Sequence, residues 1–281
     1  MCLVLLGWRT HPEYRLIVAA NREEFFTRPT ESLRRWDEVP GLLAGRDRGA
    51  AGPVPGTWLG FLPDRRRFAT VTNVRLPDEF RVDVRSRGAL MLDFLSGDTV
   101  PEKFARRTAA AADDYNGYNM LVSDLETLWW HSNRSDRAPR ELPPGFHGLS
   151  NNALFGSLDP DGTVSADSTD SVWPKVREGV RALHAVAAAN PGDVEGYLAV
   201  LSDRTRADDS ELPATGLDRP TERAASARFV RHPIHGTRCS TVLLVHEDGS
   251  YTMTERTFGR LGRAQDTETF TGRVDLSARP E

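Results

Sequence analysis

The chain has 281 residues, 39% hydrophobic and 27% charged, with a formal net charge of −4. That is apolar sequence enough for one large or two modest cores, and the mild negative balance gives no broad electrostatic ground for a nucleic-acid or anionic-membrane partner. The two cysteines, Cys2 and Cys239, stand at opposite ends of the chain and form no disulfide framework, which fits a reducing, cytoplasmic setting.

The first elements in chain order are strands. Apolar runs at residues 2–8 and 15–20 flank a polar connection and predict a hairpin. Arg9, His11, Glu13 and Arg15 interrupt the early apolar run and no basic leader precedes it, so neither a signal peptide nor a membrane span is expected. Residues 58–62 and 68–72 predict a second hairpin around Pro63-Asp64, with Arg65, Arg66 and Arg67 at a solvated tip. Ser86 caps a predicted helix with Leu90, Met91, Phe94 and Leu95 on one face and Gly97 at its end. Thr99 and Pro101 open another that runs to the alanines before Asp113.

Strands are expected at residues 118–122 and 128–131. After Asp170-Ser171, the spacing of Trp173, Val176, Val180, Leu183 and Ala187 predicts a helix that stops before Asn190-Pro191-Gly192, and a short helix follows at residues 193–201. Residues 205–223, broken by Pro213, Gly216 and Pro220, read as a long loop or linker. Residues 240–246 and 251–257 alternate around Glu247-Asp248-Gly249 as a last hairpin, with one more strand near residues 267–274. Strands at the ends and helices between them predict an α+β layered fold, antiparallel sheets covered by helices.

Cys2 is the most informative single residue. With Met1 removed, it carries a thiol and a free α-amine, titrating near ~8.5 and ~8, a nucleophile with its own base attached. The plainer alternative is a small hydrophobe opening a buried strand. Asn21-Arg22-Glu23-Glu24 follows the second strand as a polar loop in which an arginine can depress a thiol pKa and a carboxylate can anchor an amine. Asn73, Asn116, Asn119 and Asn151 each stand at the edge of an apolar segment, as pocket-lining residues or as turn formers.

These residues, in this order, resemble the NRDE family, also called the TANGO2 family. The matching stretches are Met1-Cys2, Ala19-Ala20-Asn21-Arg22-Glu23-Glu24-Phe25 and Arg28-Pro29, then Gly56-Thr57-Trp58-Leu59-Gly60, Thr72-Asn73 and Ser86-Arg87-Gly88. Tyr115-Asn116-Gly117-Tyr118-Asn119, Gly148-Leu149-Ser150-Asn151, Trp173-Pro174-Lys175, Gly236-Thr237-Arg238 and Glu255-Arg256 complete them. The family's name-giving tetrapeptide has aspartate third, where this chain has Glu23, one methylene longer; Glu24 keeps the family's type and is the carboxylate favoured here. The resemblance covers nearly the whole chain and implies one domain over residues 1–281.

The fold it implies is a four-layer αββα sandwich resembling N-terminal nucleophile hydrolases, closest in style to penicillin V acylases and bile-salt hydrolases. By that resemblance Arg22 with Glu23 or Glu24 follows the second strand beside the thiol, with Asn21 as an alternative to the arginine. Asn73 or Asn151 serves the oxyanion hole and Arg238 is the later arginine near the thiol. The implied chemistry is acyl transfer from a linear amide or related acyl compound to water, with no cofactor required and Asn21, Asn119, Trp58 and Arg87 as ligand contacts. The alternative, also implied by the family, is a non-catalytic binding or trafficking protein for haem or for acyl-CoA and lipid. Arg85-Ser86-Arg87-Gly88 at a helix start is then a weak phosphate cradle, and His232, His235 and Cys239 are the one tight group with metal-ligand potential, more readily read as loop or core residues. No metal site is expected.

Overall fold

The computed structural model describes residues 2–49, 55–75, 79–152, 155–165 and 173–277. Its elements are β1 (Cys2–His11), β2 (Tyr14–Phe25), β3 (Thr30–Arg35), β4 (Leu43–Asp47), β5 (Leu59–Leu62), β6 (Arg67–Asn73), α1 (Arg87–Ser96), α2 (Pro101–Ala110), β7 (Tyr118–Ser123) and β8 (Leu128–Ser132). They continue as β9 (Arg140–Glu141), β10 (Gly145–Leu149), β11 (Phe155–Leu158), α3 (Pro174–Ala189), α4 (Val194–Leu201), α5 (Arg219–Ala225), β12 (His235–His246), β13 (Ser250–Phe258) and β14 (Ala264–Arg273). The described strands form two seven-stranded sheets, ordered β11-β10-β1-β2-β12-β13-β14 and β3-β4-β5-β6-β7-β8-β9.

Period-two alternation builds the layers. Val4, Leu6 and Trp8 of β1, with Leu16, Val18 and Ala20 of β2, pack against Leu33, Leu43, Phe61, Phe68, Leu121 and Trp130 of the facing sheet. The intervening Leu3, Leu5, Ile17 and Ala19 face Val176, Val180, Leu183 and Tyr197 of α3 and α4. On the far side of the second sheet, Ala69, Val71, Met120 and Val122 meet Leu90, Met91, Phe94 and Phe104 of α1 and α2. The result is an α+β sandwich, two antiparallel sheets face to face with helices outside. Each buried aliphatic or aromatic side chain contributes roughly 1.5–3 kcal/mol, so a one-residue slip of β1, which would exchange its two faces, is heavily disfavoured. That register fixes Cys2 on the face between the sheets.

The helices lie where periodicity places them, with local differences. Ser86 occupies the N-cap of α1 in an extended conformation, but its hydroxyl makes no capping bond. Asp170 and Ser171 lie outside the described residues; α3 starts at Pro174 with Trp173 as N-cap. Asp193 caps α4 by accepting the Gly196 N–H.

Three expectations are corrected. Residues 21–24 are not a loop: β2 runs to Phe25, because β12 pairs with it from Tyr14 to Phe25 and satisfies its backbone. Residues 205–223 are not a plain linker, since α5 begins within them with Pro220 at a first-turn position, where a missing N–H costs nothing, and its Glu222 is buried. Arg66 and Arg67 are buried rather than solvated. Arg67 donates to the Phe94 and Thr99 carbonyls and Arg65 to those of Ser96 and Gly97, closing the C-terminal end of α1. The polar strands β3 and β4 and the short β10 and β11 carry too little alternation to be read from sequence.

Gly148 shows how β10 is held. It pairs with Leu5, and a Cβ there would lie 3.0 Å from Val176 and 3.1 Å from Leu5, besides striking Val180. Gly148→Ala is therefore expected to push α3 outward and to cost roughly 1–3 kcal/mol in chemical denaturation. An unchanged midpoint would show that the helix does not rest on this strand.

Candidate active site

Cys2, Arg22 and Cys239 are register partners on three adjacent strands, β1, β2 and β12, so their side chains leave the sheet on one face. With strands spaced by about 4.8 Å, the two cysteine Cα atoms lie roughly 10 Å apart with the arginine between them, too far for a disulfide. Arg238 is the extra residue of a bulge between Thr237 and Cys239.

The backbone of Cys2 is clamped by the segment that follows β10. Its N–H donates to Asn151 Oδ1 at 3.2 Å, and its carbonyl accepts from Ser150 Oγ at 2.8 Å. Asn151 Nδ2 donates to the Asn73 carbonyl at 2.8 Å, which fixes the orientation of the amide: a carbonyl can only accept, so the oxygen must face Cys2. The amide oxygen of Asn151 is thus turned to Cys2 and one of its two N–H groups to Asn73. Asn73, whose carbonyl it holds, is among the residues that line the cleft.

Burial pushes the Cys2 thiol above its ordinary range; the positive chain terminus, Arg22 and a hydrogen bond from the Glu23 N–H pull it back, while Glu23's charge adds to the rise. Arg22 is tied to Asp47 at 3.1 Å and lies 3.7 Å from Glu24, and both carboxylates also meet Arg28. Arg87, at the first turn of α1, is also close enough to feel the Cys2 charge, and its guanidinium donates to the Gly117 carbonyl. The cleft over these groups has a volume of about 510 Å³ and is lined by Cys2, Arg22, Glu23, Glu24, Trp58, Asn73 and Arg87, with Phe25, Phe80 and Val82 at its rim.

Several expected contacts fall elsewhere. Asn21 is buried on the opposite face of β2, donating to the Leu201 and Arg228 carbonyls and accepting from Ser240. Asn119 is buried too, its amide nitrogen donating to Thr72 Oγ1 and to the Ser150 and Asn152 carbonyls, so it holds the clamp without lining the cleft. Asn116 does line the cleft, and it also exchanges two hydrogen bonds with the Arg81 backbone, as a turn former does. Arg238 is not beside Cys2: its guanidinium donates to the Phe25 and Arg28 carbonyls and to Thr30, next to Cys239. Arg87 lines the cleft. Among the described residues no group of three His, Cys, Asp or Glu side chains is placed to hold a metal ion, and burial holds His235 neutral, down at about 4.

Glu23, not Glu24, is the carboxylate sealed beneath the site. Glu24 is drawn off by Arg22 and Arg28 and by the Phe25 N–H. Glu23 has no exposed surface, and the equally buried Lys175 of α3 reaches it at 3.8 Å while donating to the Ala225 carbonyl at 3.1 Å. Burial lowers the Lys175 pKa against the pull of Glu23. Alongside, Arg75 pairs with Glu222 at 3.0 Å, and the Arg75 N–H donates to the Asn151 carbonyl. Asp47, Arg75, Ser150 and Lys175 were not singled out as site residues from sequence. Ser150 and Lys175 each lay within a family-like stretch, and Lys175 is also one of only two lysines in an arginine-rich chain.

Lys175→Met removes the ammonium 3.8 Å from a buried carboxylate and is expected to destabilise the fold by about 3–5 kcal/mol. In a double-mutant cycle, adding Glu23→Gln should recover more than half of that loss, since the charge left behind disappears with it. Additive effects in urea unfolding would show that the two groups do not act as a pair.

The Transport and Golgi organisation 2 family model matches residues 1–260. The bovine Transport and Golgi organization protein 2 homolog is 35% identical over 273 residues, 91% of this chain and 92% of the relative. The human homolog is 32% identical and the mouse protein 31%, each over 275 residues with the same coverage. The chain belongs to the Transport and Golgi organisation 2 family, as the motifs from Asn21-Arg22-Glu23-Glu24 to Glu255-Arg256 imply.

Proposed function

We propose that the cleft is a thiol-dependent acyl-transfer site in which Cys2, made the first residue by loss of Met1, attacks the carbonyl of a linear amide or related acyl compound. The observation that carries this reading is the 3.2 Å bond from the Cys2 nitrogen to an asparagine oxygen whose orientation is fixed. With Met1 gone that nitrogen becomes an amine held by Asn151 Oδ1, one side chain away from the sulfur it has to deprotonate. The thiol proton passes to the amine as sulfur bonds to the carbonyl carbon and the carbonyl electron pair moves onto oxygen. The resulting ammonium gives its proton to the leaving nitrogen as the C–N bond breaks. Water, deprotonated by the same amine, then cleaves the thioester and releases the acid.

Asn73 and Arg87 line the cleft and are the oxyanion donors of this reading; one such donor is worth roughly 3 kcal/mol. The step needs no metal or organic cofactor.

One further observation favours a binding role. Phe80 and Val82 are 66% and 80% exposed beside Arg28, Arg81 and Arg85, a rim that is apolar and cationic together. Such a rim suits an amphipathic anion such as an acyl-CoA, a lipid or haem, and the names of the curated relatives speak of transport.

Cys2→Ala separates the two. On the catalytic reading this variant folds as the parent does and loses hydrolysis of chromogenic acyl amides to background, while Cys2→Ser keeps a small residue because a hydroxyl ionises less readily. Undiminished turnover by Cys2→Ala would overturn the mechanism. Unchanged ligand affinity with no turnover in either protein would favour the binding role.

A further inference from the structure

Behind Arg22, on the side away from Cys2, lies a second chamber of about 190 Å³, lined by Arg22, Arg46, Trp58, Arg238, Cys239 and Glu255 among others. Arg22 and Trp58 line both spaces and so form the partition between them. The chamber is too small for a drug-sized ligand but large enough for the head of one.

Its cations are unusually incomplete. The side chains of Arg22 and Arg46 are only 7% and 6% exposed, yet Arg22 Nη1 and Arg46 Nε are buried with no hydrogen-bond partner among the described residues. A buried, unsatisfied donor on a charged group is costlier than one on a neutral group. Arg238 donates only to two carbonyls and a hydroxyl, and no described carboxylate pairs with it.

The acids that line the chamber do not fill this demand. Glu31 is engaged by Arg34, Arg46 and Arg48. Glu255 accepts from the Leu33 N–H at 2.7 Å, from Thr241 at 3.0 Å and from the Cys239 thiol, and burial raises its pKa, which disfavours its charge. Asp266 is exposed.

The geometry points to an oxyanion site in this chamber, where Arg22 Nη1 and Arg46 Nε donate to one carboxylate- or phosphate-sized group and Arg238 balances its charge. Guanidinium forks are suited to both head groups. The site stands without the acyl-transfer reading. Taken with that reading, it makes the substrate an acyl compound with an anionic end that reaches past Arg22 while its carbonyl lies at Cys2.

Calorimetric titration with inorganic phosphate and with acetate, at constant ionic strength, tests the site directly in the parent and in Cys2→Ala. Both proteins should bind each anion saturably at one competitive site, whatever the fate of the acyl-transfer mechanism. Arg46→Lys keeps the charge but loses the unfilled Nε, and Ser32→Trp fills the chamber from an exposed position while leaving every cation in the sequence. Each should weaken binding at least tenfold while alkylation of Cys2 proceeds at the parent rate. The absence of saturable binding by the folded parent would overturn the proposal. So would equal affinity in parent, Arg46→Lys and Ser32→Trp, which would place the anions on surface arginines instead.

Discussion

The side-chain amide of Asn151 has one orientation open to it, and the geometry around Cys2 follows from that. Its nitrogen must donate to the Asn73 carbonyl, so its oxygen must face the Cys2 nitrogen. Through these two bonds one residue ties the start of the first sheet to the end of β6 in the second. Ser150 adds a bond to the Cys2 carbonyl, and Thr72 and Asn119 both donate to the Ser150 carbonyl. The clamp is buried and built largely from neutral groups, so it carries little of the desolvation cost that an ionic clamp would incur.

Around this neutral clamp the charges are sorted by the two faces of β2. The face between the sheets holds Arg22, whose guanidinium shares Asp47 and Glu24 with Arg28. The outer face holds Glu23 against Lys175, with Arg75 and Glu222 alongside. Cys2 lies where the two sets meet. Burial raises its thiol pKa, and cations on one side and a carboxylate on the other pull it in opposite directions. Neither set is exposed enough for water to screen it away, so the charge state of the thiol depends on the fold being intact.

Much of the fold was legible because apolar alternation and helix caps are local signals. Val4, Leu6 and Trp8 announce one face of β1, and Val176, Val180 and Leu183 announce the buried stripe of α3. The site was legible by type more than by role. Asn21, Arg22, Glu23 and Glu24 look like a loop because four polar residues in a row carry no period, yet they are strand residues satisfied by β12. Once they are a strand, parity sends Glu23 to the face of Asn21 and Glu24 to the face of Arg22, so the two glutamates stand on opposite sides of the sheet. Arg87 stands near the thiol and Arg238 does not, for a related reason. Order along the chain does not say which arginine a bulge or a helix start will turn toward the thiol. Lys175 and Asp47 reach the site only through tertiary packing, and no local pattern announces that.

The account's central claim is that the working group of the cleft is the thiol of an N-terminal Cys2. An intact-mass spectrum of the purified protein, taken before and after a thiol-reactive acyl probe and followed by peptide mapping, tests it most directly. The account predicts a mass lacking Met1 and a single adduct on Cys2, with Cys239 untouched because burial and the neighbouring Glu255 hold its thiol protonated. A retained Met1 with an inert Cys2, or an adduct that forms first on Cys239, would contradict it.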